Sequence, residues 1–288
     1  MKLARFTHEG RTRLGKVMGD QVIDLGEAVA GLDGSMRRLL DNLDSIRPAL
    51  EAVTGPAFAL DTVTLEAPIV DPRKFLAIGM NYQAHADEAA AAGHAIPKSQ
   101  LWFNKQVTCI TGPYADVDVP SSAPDMVDYE AELGVVIGKR CRHVTRENAR
   151  SVIAGYFVCN DVTARDWQFR SPTFTLGKSF DTHGPIGPWI TTDDEIEDPH
   201  ALTLTLTLNG EERQRSSTGD MIYNIYDQIA YLTEVMTLEP GDVIATGTPA
   251  GVGIAGNRFM KAGDVVRVAI DGLGAIENRF VDEIKPST

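Results

Sequence analysis

Cysteine is scarce: Cys109, Cys141 and Cys159 are odd in number and form no CxxC pair, which leaves no disulfide framework and no thiolate zinc site. They are read as reduced, buried small hydrophobes. Positive charge is short as well. Against 40 Asp and Glu the chain carries 27 Lys and Arg, a formal net charge of −13, which argues against a nucleic-acid partner and disfavours an anionic membrane surface. No apolar run reaches the roughly 18 residues of a membrane span, and MKLARFTHEG lacks the apolar region of a signal peptide, so a cytoplasmic protein is expected. A GxSxG elbow is missing, which weakens a serine-hydrolase reading. ATGTPAGVG, residues 245–253, lacks the Gly-Lys-Ser/Thr ending of a phosphate loop. Internal repeats, low-complexity tracts and long linkers are absent too.

What remains is an ordinary soluble composition, 43% hydrophobic and 23% charged over 288 residues, enough for one large core with a small appendage. LEAPIVDPRK, with Pro68 and Pro72, breaks the pattern and divides a small N-terminal α/β segment, residues 1–67, from a main domain, residues 68–288. In the first segment RLGKVMGDQVIDL reads as two arms around a Gly-Asp turn, and residues 36–53 have helical spacing interrupted at Pro48. The main domain is rich in strands. ALTLTLTLNGEE alternates and turns at Asn209-Gly210, and residues 264–281 read as a hairpin through Asp271-Gly272. Helices are expected in AHADEAAAA, TRENARSVIA and YNIYDQIAYLTEVM.

DYEAELGVVI, residues 128–137, is a strand by its two-residue period, with Tyr129, Ala131, Leu133, Val135 and Ile137 on one face and Asp128, Glu130 and Glu132 on the other. Such an acidic face can simply point to water. Asp161 weighs against that, because it ends the apolar run Tyr156–Cys159, where an ionised carboxylate needs a counter-charge or a proton. Carboxylates that converge repel one another unless a cation sits between them. An all-oxygen set suits Mg²⁺, Mn²⁺ or Ca²⁺ rather than zinc, and open coordination positions imply catalysis.

Other parts have two readings each. His85 and Glu88 lie three apart at the front of an Ala-rich helix, either as a pair that activates water, on a helix able to act as a lid, or as a solvated surface. Lys178 either stabilises an oxyanion or snorkels from a strand end. His183 is a base or a loop histidine bonded to backbone. The turn at 245–253 either brings its amides and the Thr246 and Thr248 hydroxyls to a ligand carboxylate or is only a tight turn.

Taken in order, GMNYQAHADE, DYEAELGVVIG, NDVTARDWQ, GKSFDTHGPIGP and TGTPAGVG closely resemble the fumarylacetoacetate hydrolase family over residues 69–285. The resemblance implies an α+β, β-rich mixed fold with strands rolled into a barrel-like core, and a homodimer. It implies Glu130, Glu132 and Asp161 as ligands of Mg²⁺ or Mn²⁺, His85 and Glu88 as the water-activating pair, Gln168 and Lys178 as groups that polarise the substrate, and Thr248 as a carboxylate contact. Asp128 has no matching role; it is a supporting group or the strand's solvated end. A further aspartate ligand of the larger founding enzymes has no counterpart, so the chain resembles the shorter branch that acts on acylpyruvates and related 2-oxo acids. The implied reaction is metal-dependent hydrolysis of a 2,4-dioxo acid to pyruvate and a carboxylate. Oxaloacetate decarboxylation and hydroxymuconate isomerisation can use the same site, and a non-catalytic scaffold has no need for the full set of residues. Met80, Trp102 and Phe103 are expected around the acyl tail.

Overall fold

The computed structural model describes residues 1–32, 34–93 and 95–284. Strands dominate and helices are few, so the fold is mixed α+β. Ten strands form the path of the main sheet: β1 (Lys2–His8), β2 (Arg11–Met18), β3 (Gln21–Asp24), β4 (Ala57–Ala59), β5 (Phe75–Gly79), β6 (Leu101–Lys105), β7 (Ala131–Ile137), β8 (Ile153–Asn160), β9 (Gly184–Thr192) and β10 (Val243–Ala245). They hydrogen-bond in the order β4-β3-β2-β1-β9-β8-β7-β10-β5-β6. Among the described residues β4 and β6 do not pair with each other, so this ladder is open. A second sheet orders Glu211–Ser217, Thr203–Leu208, Val265–Ile270, Gly274–Asp282 and Val117–Val119. The N-terminal strands extend the main sheet, since Leu3 of β1 pairs with Ile190 of β9.

β7 is where the layers meet. Its Leu133, Val135 and Ile137 pack with Leu204, Leu206, Val266 and Val268 of the second sheet. Val136, on the opposite face, packs with Met36, Leu39, Leu40 and Leu50 from the N-terminal helices. Both faces of β7 are buried, so the solvated acidic face allowed by the alternation is not what forms. The strand also stops short: Tyr129 and Glu130 separate it from the two-residue strand Val127–Asp128.

The three turns expected from Gly and Asn are present. Asn209 and Gly210 both have positive φ, 52° and 82°, which is the geometry that favours Asn-Gly in a two-residue hairpin. Two helix expectations change. Residues 36–53 break at Asn42 rather than Pro48, giving α1 (Met36–Asp41) and α2 (Leu43–Ala52). Asn42 closes α1 by donating from Nδ2 to the Arg38 carbonyl at 2.8 Å, whereas Pro48 is tolerated inside α2. TRENARSVIA forms only a 3₁₀ stretch, Arg146–Val152, because the β-branched Ile153 already belongs to β8. The remaining helices are α3 (Gln83–Ala91), α4 (Arg165–Gln168) and α5 (Ile225–Val235), the last capped by Asn224, whose side chain accepts from the Tyr226 and Asp227 amides at 3.0 Å. No described helix is long and apolar enough to cross a membrane.

Candidate metal centre and active site

The β7/β8 ladder builds the site. Ala131 stands opposite Asn160 and Glu132 opposite Cys159. Beyond the strand ends the Asp161 amide donates to the Glu130 carbonyl at 2.9 Å, and the Glu130 amide donates to Asn160 Oδ1 at 3.0 Å. Glu130 and Glu132 share a face by the strand period, and the partner strand delivers Asp161 to it. One oxygen from each of the three lies within 4.8 Å of the others, and all three residues are buried.

Their surroundings hold the charges unequally. Burial pushes the Glu130 carboxyl up, but Lys178 and Arg165 outweigh it and bring the pKa down to about 2. Glu132 goes the other way: burial, then Asp161 and Glu130, push it well above the carboxylate range, against Lys178 and the Gly247 amide that donates to it at 2.8 Å. Asp161 is bracketed by two ammonium groups, with Lys105 Nζ 2.7 Å from Oδ1 and Lys178 Nζ 2.7 Å from Oδ2. Asp128, Glu130, Glu132 and Asp161 therefore face Lys105, Arg165 and Lys178, all buried, which leaves one uncompensated negative charge when every group is ionised. That imbalance and the hard oxygen donors fit a divalent cation such as Mg²⁺ or Mn²⁺, which would leave the site positive toward an anionic ligand.

A cavity of about 440 Å³ opens beside these acids, and His85, Glu88, Glu130, Glu132, Gln168, Lys178 and Thr248 line it. The site residues expected from the sequence are thus brought together, with Asp161 joined through its ion pair to Lys178. His85 Nδ1 lies 3.3 Å from Glu88 Oε2, and both partly exposed side chains line the cavity. The Gly251 amide donates to Glu88 Oε1 at 3.3 Å and docks the helix on the 245–253 turn. Lys178 is 1% exposed, which rules out snorkelling, and it donates to Glu130 Oε2 at 2.5 Å. Gln214 donates to Thr248 Oγ1 at 2.9 Å, which leaves the threonine's own hydroxyl proton available to a ligand.

The two-sided readings of Asp128 and His183 resolve, and one expected cavity residue is corrected. Asp128 is fully buried, not the solvated end of a strand: its oxygens accept from the Tyr129, Gly253 and Ile254 amides and from Arg165. His183 is structural. Its Nε2 lies 2.9 Å from the Asp118 carbonyl, and burial pushes its pKa down to about 3, so it is neutral. Trp102 is absent from the cavity wall, because strand alternation sends it to the face opposite Phe103, whereas Met80 and Phe103 do line it. Met80 also holds a left-handed backbone, φ 53°, unusual for this side chain and the kind of local strain found at ligand sites.

Sequence reasoning passed over Arg165 and Lys105. Arg165 spans the site: its guanidinium pairs with Asp128 and Glu130, each at 2.8 Å, and donates to Gln168 Oε1 at 3.0 Å, which leaves the Gln168 amide nitrogen as a donor. The three-residue spacing of Arg165 and Gln168 was a visible signal. Lys105, at the end of the apolar strand LWFNK, carried none beyond being a lysine in such a strand.

Residues 74–281 match the family model described as fumarylacetoacetate (FAA) hydrolase C-terminal, and residues 1–68 match one described as Rv2993c-like, N-terminal. The fumarylacetoacetate hydrolase domain-containing protein 2 homolog of Dictyostelium discoideum is 39% identical, covering 94% of this chain and 93% of that protein. The crystal structure of maleylpyruvate hydrolase from Sphingobium sp. SYK-6 in complex with manganese(II) and pyruvate superposes with a TM-score of 0.83 at 35% identity, over 99% of this chain and all (100%) of that one. The 5-carboxymethyl-2-hydroxymuconate delta-isomerase from Mycobacterium smegmatis gives 0.79 at 34% identity, over 99% of this chain and 100% of the other. With the family model spanning most of the chain and these likenesses running its whole length, the chain belongs to the fumarylacetoacetate hydrolase family.

Proposed function

We propose that the protein is a divalent-metal-dependent hydrolase that cleaves the C3–C4 bond of 2,4-dioxo acids of the acylpyruvate type, giving pyruvate and a carboxylate. The observation that carries this reading is the buried Glu130, Glu132 and Asp161 set beside a cavity that also holds the His85–Glu88 pair. A Mg²⁺ or Mn²⁺ ion on these carboxylates would supply Lewis-acid polarisation of a 2-oxo acid's oxygens. His85, oriented by Glu88, takes the proton of the attacking water. Gln168 and Lys178 donate to the oxygens on which negative charge develops, and Thr248 donates to the substrate carboxylate. Arg165 holds Gln168 and Glu130 in place. As the family resemblance implies, the enzyme is a homodimer, an assembly that light scattering tests.

The isomerase among the similar structures supports a second reading, in which the same pair only moves a proton between carbons of a hydroxymuconate-type diacid. Decarboxylation of oxaloacetate draws on the same groups. A panel of acetylpyruvate, fumarylpyruvate, a hydroxymuconate and oxaloacetate, each with Mn²⁺ or EDTA, separates the three. Metal-dependent release of pyruvate from acetylpyruvate is expected; turnover of oxaloacetate or the muconate alone would overturn the hydrolase assignment.

A further inference from the structure

The cavity has two chemically different ends. Its charged residues are His85, Glu88, Glu130, Glu132, Arg165 and Lys178. Both cations are already engaged: Arg165 by Asp128 and Glu130, Lys178 by Glu130 and Asp161. Beyond them the wall turns apolar. The Lys178 ammonium lies 5.0 Å from the centre of the Phe103 ring, and Phe103 in turn packs edge-on against Phe174 with ring centres 6.0 Å apart. Ile78, Met80, Leu101 and Val252 are further apolar residues of the cavity wall. Among the described lining residues no further Lys or Arg stands on it, and the remaining acid is Glu88 on α3.

From this distribution, and resting on the 2-oxo acid reading above, we infer that the substrate's far end is an uncharged apolar tail and not a second carboxylate. A carboxylate placed against Phe103 and Phe174 loses its water and finds no counter-charge, which binding penalises heavily. An alkyl or aryl tail there gains by transfer from water, about fourfold in affinity for each buried methylene. The metal end still requires one carboxylate, so selectivity falls between mono- and dicarboxylic 2-oxo acids of equal length.

Calorimetric titration of the Mn²⁺-loaded protein with non-reacting probes tests this without reference to turnover. 2-Oxohexanoate is expected to bind at least about tenfold more tightly than 2-oxoadipate, and affinity is expected to climb about fourfold per methylene from pyruvate to 2-oxohexanoate. Leu101→Arg, which places a cation on the apolar wall, is expected to erase or invert the preference. Equal or tighter binding of 2-oxoadipate by the unmodified protein overturns the apolar-tail inference and leaves the 2-oxo acid reading standing. Mn²⁺ binding with no uptake of any 2-oxo acid overturns both.

Discussion

Glu132→Gln gives the sharpest test of the metal centre, because it is expected to stabilise the metal-free protein while removing the response to metal. Oxygens of Glu132, Glu130 and Asp161 lie within 4.8 Å of one another. At an effective dielectric near 20, two full charges at that separation repel by about 3.5 kcal/mol. Lys178 and the Gly247 amide offset part of this, and Glu132 relieves more by keeping a proton, its pKa being raised by burial, Asp161 and Glu130. A raised folded-state pKa means that the fold holds a proton which the unfolded chain releases above about pH 4.5, so metal-free wild type loses stability as pH rises from there. The amide removes that slope. A gain of about 1–3 kcal/mol at alkaline pH follows, or a melting temperature higher by roughly 2–4 °C per kcal/mol. Mn²⁺ at a hundred times its dissociation constant adds about 2.7 kcal/mol to wild type and is expected to add almost nothing to the variant. Scanning calorimetry at pH 5 and pH 9, in EDTA and in Mn²⁺, reads all four states. A variant less stable than wild type in EDTA at pH 9, or one with an undiminished Mn²⁺ shift, refutes the reasoning.

His85→Ala is expected to lower kcat by about 10²–10⁴-fold with Mn²⁺ affinity nearly intact, checked by kinetics beside calorimetry; equal loss of both shows the pair to be misassigned. Asp128→Asn weakens the anchor shared by Arg165 and the Gly253 and Ile254 amides, and the urea midpoint should report a loss of about 3–5 kcal/mol. Gly247→Ala places a Cβ 2.7 Å from the Asn81 Cβ at a φ of +101°, so a cost of about 1–3 kcal/mol and weaker Mn²⁺ binding are expected, the latter because the Gly247 amide loses its aim at Glu132. His183, with its pKa pushed by burial from 6.5 to about 3, must stay neutral in the fold, so its contribution is complete above pH 6.5 and shrinks as pH falls toward 3. About 2 kcal/mol is lost by pH 5, and His183→Gln is expected to flatten that limb of an acid-unfolding curve.

Much of the site was legible because its chemistry lies in short, ordered motifs. Glu130, just before β7, and Glu132 within it alternate to one side, His85 and Glu88 share one helical turn, and Asn209-Gly210 dictates its own turn. Long-range contacts were not legible. The carboxylate of Asp128 looks like that of any acid at a strand end until the turn around Gly253 arrives, 125 residues later, to surround it. Lys105 acquires meaning only from Asp161, delivered by a strand beyond β5, β10 and β7 in the sheet. Trp102 and Phe103 are adjacent in sequence, and only the register of β6 on β5 decides which of them sees the cavity. The helix break at Asn42 is not legible because Pro48 is the stronger local signal, whereas the cap depends on an Asn42 side chain turned back to the Arg38 carbonyl.

The pairing of β7 with β8 is local in sequence, while the contacts that complete the site are not. Glu130 reaches Asn160 across a separation of 30 residues, whereas the Gly247 amide comes to Glu132 from 115 residues away and the Gly251 amide to Glu88 from 163. Short loops close at lower entropic cost, so the acidic half of the centre can assemble while the turn that completes it is still unformed. On a ribosome the chain would expose Glu130, Glu132 and Asp161 long before residues 245–253 are synthesised. A chain lacking that turn carries converging acids without their Gly247 contact, so the centre as described exists only once residues 245–253 have packed against β7.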